Sequence, residues 1–246
     1  MHRVVFIVIL IFFTCLHLHS QGFNWQYTTR YPIEAPSLFL GLNSSYNHSS
    51  HHSNIDLREY FVHCCQFNDG SAKGFSIGAS AEKWFSGNSS ALLSLLFKNQ
   101  SVSFYKIERL PRLYDSLTTQ YELNSIISNI SLEIGGKRRL FDSHFHLAAS
   151  LFFSYLFNTS NKYSETVLEP MDFPWRTRVI SSASFSDINR FNIFPNLRAG
   201  YDWSFYLNYY ASFFLQANIP LFDLAKDKKW KSSSIEFGFI IFKGID

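Results

Sequence analysis

The stretch HFHLAASLFFSYLF, residues 144–157, decides the fold. Its odd positions, Phe145, Leu147, Ala149, Leu151, Phe153, Tyr155 and Phe157, are all apolar. The even positions include His144, His146, Ser150 and Ser154. A period of two puts these sets on opposite faces of a β-strand, whereas a helix would repeat every 3.6 residues. The run is also longer than the five or six residues usual in soluble sheets, and long enough to cross a bilayer at a tilt.

The same pattern recurs outward from this run. Leu197, Ala199, Tyr201, Trp203 and Phe205 alternate with Arg198, Gly200, Asp202, Ser204 and Tyr206. Ile235, Phe237, Phe239 and Ile241 alternate with Ser234, Glu236 and Gly238. Less regular alternation covers Phe75–Lys83, Ile126–Ile134 and Ala211–Ile219. The predicted strands are 37–46, 74–86, 90–104, 121–134, 143–157, 191–206, 209–221 and 232–243. Connections after the second, fourth and sixth are short, at 87–89, 135–142 and 207–208. Those after the first, third, fifth and seventh are long, at 47–73, 105–120, 158–190 and 222–231. Loops sorted by parity in this way fit a transmembrane barrel, and a soluble sandwich offers no reason for it. The expectation is an all-β protein: an eight-stranded antiparallel up-and-down transmembrane β-barrel with short periplasmic turns and long external loops.

Composition agrees with lipid contact. The chain holds 27 Phe, 13 Tyr and 5 Trp, and only 17% of it is charged, below the usual quarter. A net charge of +3, dispersed along the chain, gives no footprint for nucleic acid. Alternation alone does not say which face is inside, and a secreted soluble barrel binding a lipophilic ligand would turn the apolar face inward. Large aromatics near strand ends favour the opposite arrangement, at Trp84–Phe85, Trp203–Phe205 and Tyr209–Tyr210. The other face mixes Gly, Ser and Ala with a few charges, which suits a narrow lumen. The first strand reads Gly41-Leu42-Asn43, without the Gly-x-Trp usual in lipocalins.

The N-terminus reads as an export signal. Val4 to Phe13 is apolar, behind His2 and Arg3, and too short to span a membrane. The expected division is a signal peptide at 1–20 cut between Ser20 and Gln21, a periplasmic segment at 21–36, and the barrel at 37–246. Phe12, Phe13 and Thr14 are too bulky for lipidation at Cys15. The expected address is the cell outer membrane. Cys64 and Cys65 are adjacent, so a bond between them would be strained.

The chain resembles the small porin-like outer-membrane β-barrel families of Bacteroidota and their relatives. The likeness rests on Ser20-Gln21, on Tyr121-Glu122-Leu123, on Asn192 to Tyr201 followed by Tyr209 to Leu221, and on the closing Ser234 to Phe242. It spans most of 37–246. The fourth-strand proline of that family is absent, with Asn124 and Ser125 nearby, and Lys243-Gly244-Ile245-Asp246 follow the terminal aromatic. The resemblance implies an address more than an activity.

Candidate chemistry falls in three places. The lumen set is Glu82, Lys98, Glu133, Arg198, Asp202, Gln216 and Glu236. An eight-stranded interior is just wide enough for side chains to fill, so these groups are expected to pair and plug it. The first long loop holds His48, His51, His52, His63, Cys64 and Cys65, ligand types for zinc or copper but in no closed-site spacing. The loop at 158–190 carries Phe173, Trp175, Arg176 and Arg178, suited to an interface. Asp142, Ser143 and His144 are adjacent and alternate in direction, so they form no triad. Lys137-Arg138-Arg139 reads as a basic turn on the export-side surface. The Asn-x-Ser/Thr triplets follow from abundant serine. The expectation is a non-enzymatic barrel without cofactor, a surface binding scaffold or envelope-complex subunit. The alternatives are a narrow passive porin-like channel and the soluble lipophile carrier. Expected partners are outer-membrane lipid, the barrel assembly machinery during biogenesis, and an envelope protein.

Overall fold

A computed structural model describes residues 37–56, 66–111, 116–140, 143–169, 176–181, 188–206, 208–225 and 229–245. The predicted leader, the segment 21–36, Asp142, His63, Cys64, Cys65, Phe173 and Trp175 lie outside them. Nine strands run in chain order: β1 (Leu38–Asp56), β2 (Gln66–Ser86), β3 (Ser89–Pro111), β4 (Ser116–Arg139), β5 (Phe145–Glu169), β6 (Thr177–Ser181), β7 (Phe191–Tyr206), β8 (Tyr209–Asn218) and β9 (Trp230–Ile245). All pairings are antiparallel, and β4 also pairs with β5, so the sheet closes on itself. The ring passes through β1, β2, β3, β4, β5, β7, β8 and β9, and an unbroken ladder from Leu38–Ile245 to Ser53–Trp230 joins its ends.

Two expectations change. The described residues hold nine strands rather than eight. β7 leaves β5 at Tyr155, and above it the short β6 pairs with Tyr163–Thr166. The strands also outrun their hydropathic signal at the long-loop end. Much of 47–73, 105–120 and 158–190 is strand rather than loop. The cause is physical: alternation is written into the sequence only where one face meets an apolar medium. Above that level the apolar residues no longer keep to the outer face, since Phe67, Val102, Phe104 and Trp230 point inward, while the hydrogen-bond ladder continues.

The apolar faces point outward. Leu42 is 73% exposed and Phe237 63%, whereas Glu82, Glu133 and Asp202 are fully buried. Trp84 and Tyr210 are corrections to the aromatic rim. Both turn inward, while Phe85 is exposed on the outside and Tyr209 packs there against Phe205, because successive side chains alternate. On β2, Lys73 and Lys83 bracket the outward-facing Phe75, Ile77, Ala79 and Ala81. That interval is about 33 Å along the strand, or about 25 Å tall at a 40° tilt.

Inside, two apolar clusters cap a polar middle. Phe39, Trp84, Leu92, Tyr210, Phe214, Ile240 and Phe242 fill the short-turn end. Phe67, Val102, Phe104, Tyr121, Leu123, Tyr163, Ile188 and Trp230 fill the long-loop end. Gly70 is required there, since a Cβ would collide with the Phe104 ring.

The β1–β9 ladder makes a direct prediction for His48–Ser53, where sequence alone reads a loop. Amides in that segment should show slow hydrogen exchange, and exchange within seconds would contradict the assignment.

Candidate functional site in the barrel interior

Inward positions on β2, β4, β5, β7 and β8 meet near the short-turn end in the first charged level. Lys137 Nζ lies 3.0 Å from Glu82 Oε1 and 3.0 Å from Asp202 Oδ2. Arg139 Nη2 donates to Asp202 Oδ2 at 3.0 Å, and His146 Nδ1 lies 3.2 Å from Asp202 Oδ1. Tyr210 and Ser90 both donate to Glu82. The Trp84 ring carries Arg139 at 4.3 Å and Lys137 at 5.0 Å.

The second level is built on Arg198. Its Nη2 donates to both oxygens of Glu133 at 2.8 and 2.9 Å, and its Nε donates to Gln216 Oε1 at 2.9 Å. Ser150 Oγ donates to Glu133 at 2.8 Å, and the guanidinium rests 4.3 Å over Phe214. Gln216 links upward, donating to Glu236 Oε2 at 2.8 Å. The third level joins Lys98 Nζ to Glu236 Oε1 at 2.6 Å, with Asn218 Nδ2 donating to the same oxygen at 2.8 Å. Lys98 sits 4.2 Å over the Phe152 ring.

The structure therefore brings Glu82, Lys98, Glu133, Arg198, Asp202, Gln216 and Glu236 into the interior, with Glu82 and Asp202 in the first level and the other five connected across the second and third. The carboxylate partner of Arg198 comes from β4, with β5 between them, because the narrow lumen lets long side chains reach past a neighbour. Sequence reading missed Lys137, Arg139, His146 and Tyr210. It also placed the basic trio on the surface; Lys137 and Arg139 are inside and only Arg138 faces out. The signal was present, since 133, 135, 137 and 139 share a parity, but β4 was ended at 134. The buried charges of the described interior balance, with Lys98, Lys137, Arg139 and Arg198 against Glu82, Glu133, Asp202 and Glu236.

Above Lys98–Glu236 lies a cavity of about 70 Å³, lined by His51, Lys98, Phe152, Trp230 and Glu236 among others. That is room for about two water molecules.

The remaining candidates are dispersed. His48 and His52 face outward while His51 faces inward, and His52 Nδ1 lies 2.8 Å from Asp69. Among the described residues no three His, Cys, Asp or Glu are grouped to hold a metal. Ser143 closes a turn, donating to Leu140 O at 2.6 Å, and His144 stacks on Tyr201 at 5.5 Å. Arg176 and Arg178 are exposed at β6.

No family model and no curated protein matches the chain. Among solved structures it is similar to Neisserial surface protein A, at 14% identity over 87% of this chain and 100% of that one, with a TM-score of 0.34. It is similar to Ail, the attachment invasion locus protein of Yersinia pestis, at 9% identity over 85% and 99%, with a TM-score of 0.38. A third is the outer membrane protein OprG from Pseudomonas aeruginosa, at 12% over 86% and 98%, with a TM-score of 0.39. None of these likenesses bears on what this chain does.

Arg198→Met leaves Glu133 buried without its cation and should lower unfolding stability by about 3–5 kcal/mol. The double variant Arg198→Met with Glu133→Gln should recover most of that loss. Urea titration of the folded barrel checks both, and additive losses would contradict the pairing.

Proposed function

We propose that the chain is an outer-membrane β-barrel of a Gram-negative envelope, serving as a non-conducting, surface-exposed scaffold. The observation that carries this reading is the inverted distribution of polarity. An apolar outer band about 25 Å tall surrounds an ion-paired interior, the height and pattern a bilayer demands. No helix of the described residues is long and apolar enough to cross a membrane. A soluble carrier would need an apolar pocket of at least ~300 Å³, far above the interior cavity of about 70 Å³, and the wider cleft of about 470 Å³ beside Asn68, Asp69, Ser71 and Lys106 is lined largely by polar residues.

The interior supports a plug rather than the passive channel. Three charged levels and two apolar caps cross the axis, and the lumen charges are spent on one another. On this reading the lipid contact is the outward band, and the barrel assembly machinery inserts the chain after the leader is cut behind Ser20. The long-loop rim, with Arg176 and Arg178, is where an envelope partner would dock. The resemblance to porin-like barrels of Bacteroidota supports the same address. We assign no catalytic role and no cofactor.

Membrane fractionation tests the address. Carbonate-resistant association with heat-modifiable gel migration is expected, and a soluble fraction would overturn it. In planar bilayers the purified barrel should show no stable conductance, whereas steady openings would favour the channel. Phe239→Arg, within the band, should cost about 2–4 kcal/mol of stability in lipid, and Ser233→Arg at its edge less than about 1. Equal small losses would contradict the placement of the band.

A further inference from the structure

The aromatic cluster at the long-loop end holds a contact that none of the charged levels uses. His51 on β1 lies opposite Gly70 of β2 and Ser232 of β9, and its ring points into the outer aromatic cluster. Trp230 Nε1 donates to His51 Nδ1 at 3.0 Å, and the other ring nitrogen lies 3.4 Å from Ser232 Oγ. The indole N–H has no lone pair to offer, so Nδ1 must be the bare nitrogen and Nε2 must carry the hydrogen. The imidazole packs on Phe104 at 6.1 Å and Trp230 at 5.9 Å between centroids, and Phe104 packs on Trp230 at 5.9 Å. His51 and Trp230 are each 1% exposed. Both line the cavity above Lys98–Glu236, on its long-loop side.

We propose that the His51–Trp230 hydrogen bond is an acid-labile latch: a proton on the imidazole releases the indole ring and opens the chamber beneath it to the outside. The balance is simple. Nδ1 gains the proton, its lone pair is consumed, and two N–H donors then face each other where one bond stood. The backbone around Trp230 is held, since Leu224 N–H donates to Trp230 O at 2.7 Å and Asn54 N–H to Lys229 O at 2.9 Å. The ring therefore swings while the strand stays.

Among the described residues, the groups that face the imidazole are already engaged or turned away. From β3 and β9, Lys98 and Glu236 face it across the chamber, already bound to each other. On β2 the nearby acid, Asp69, is turned outward against His52. Lys106 and Glu108 of β3 pair at 3.1 Å. From β4 and β5, Tyr121 and Tyr163 join the cluster as neutral phenols whose titration burial pushes up. His51 lies beyond the apolar band, between the exposed Ser50 and His52, and burial pushes its pKa down to about 4. A depressed imidazole contributes stability that is whole above its ordinary value of 6.5 and is lost as pH falls through about 4. The latch is closed at neutrality and opens in acid. This goes beyond the scaffold role and stands with or without an external partner.

The test uses the full-length barrel refolded in detergent micelles, with heat-modifiable migration confirming the fold. Tryptophan emission and its quenching by acrylamide are followed from pH 7 to 3. The native chain should shift to the red and become more quenchable with a midpoint near 4. His51→Gln keeps an acceptor and cannot take the proton, so it should stay unshifted, and Trp230→Phe should lose the response. An acid shift in His51→Gln matching the native one, a shift persisting in Trp230→Phe, or none in the native chain would each overturn the latch. Should His51→Gln fail to fold, NMR of the native protein decides. The His51 ring and the Trp230 indole N–H must titrate together, and either titrating alone refutes the proposal.

Discussion

In hydrocarbon, a strand's N–H and C=O groups have no water to bind, so each must be bonded to a neighbouring strand. An open sheet leaves two edges unsatisfied, and closure is the only arrangement that leaves none. The long β1–β9 ladder provides that closure here, and the remaining features follow from it. Once the ring shuts, alternation divides every strand into one face toward the surroundings and one toward a narrow axis. β6 is outside this rule because it pairs only above the band, where water is available.

Closure also fixes what the interior can hold. A ring of this size leaves just enough width for side chains. Charges placed there are removed from water and must find partners with good geometry. They do so in three levels, the second and third joined through Gln216, and aromatic rings take the faces of the cations that carboxylates do not reach. Specific pairing across strands, such as Glu133 of β4 with Arg198 of β7, also ties the register of distant strands together. On the proposed reading the interior is a structural plug with an apolar cluster at each end.

The sequence made the band legible because an apolar outer face imposes alternation on each strand. The odd-numbered residues of Leu197 to Phe205 and of Ile235 to Ile241 face outward, and the seven polar positions singled out in the sequence are buried inside. Strand length beyond the band was not legible, since His48 to Asn54 is polar on both faces and resembles a loop. The same blindness hid Lys137 and Arg139, whose inward parity was readable only if β4 continued past Ile134. The role of His51 was also out of reach. A histidine among serines reads as solvated until tertiary packing sets Trp230 and Phe104 around it.

The central claim is the orientation of the faces, and spin labels placed one by one along β9 test it most directly. In lipid vesicles, with Cys64 and Cys65 replaced by serine, labels at 235, 237, 239 and 241 should relax strongly with oxygen and weakly with a water-soluble nickel complex. Labels at 234, 236, 238 and 240 should be shielded from both. Nickel accessibility at the odd positions, or oxygen accessibility confined to the even ones, would contradict the account.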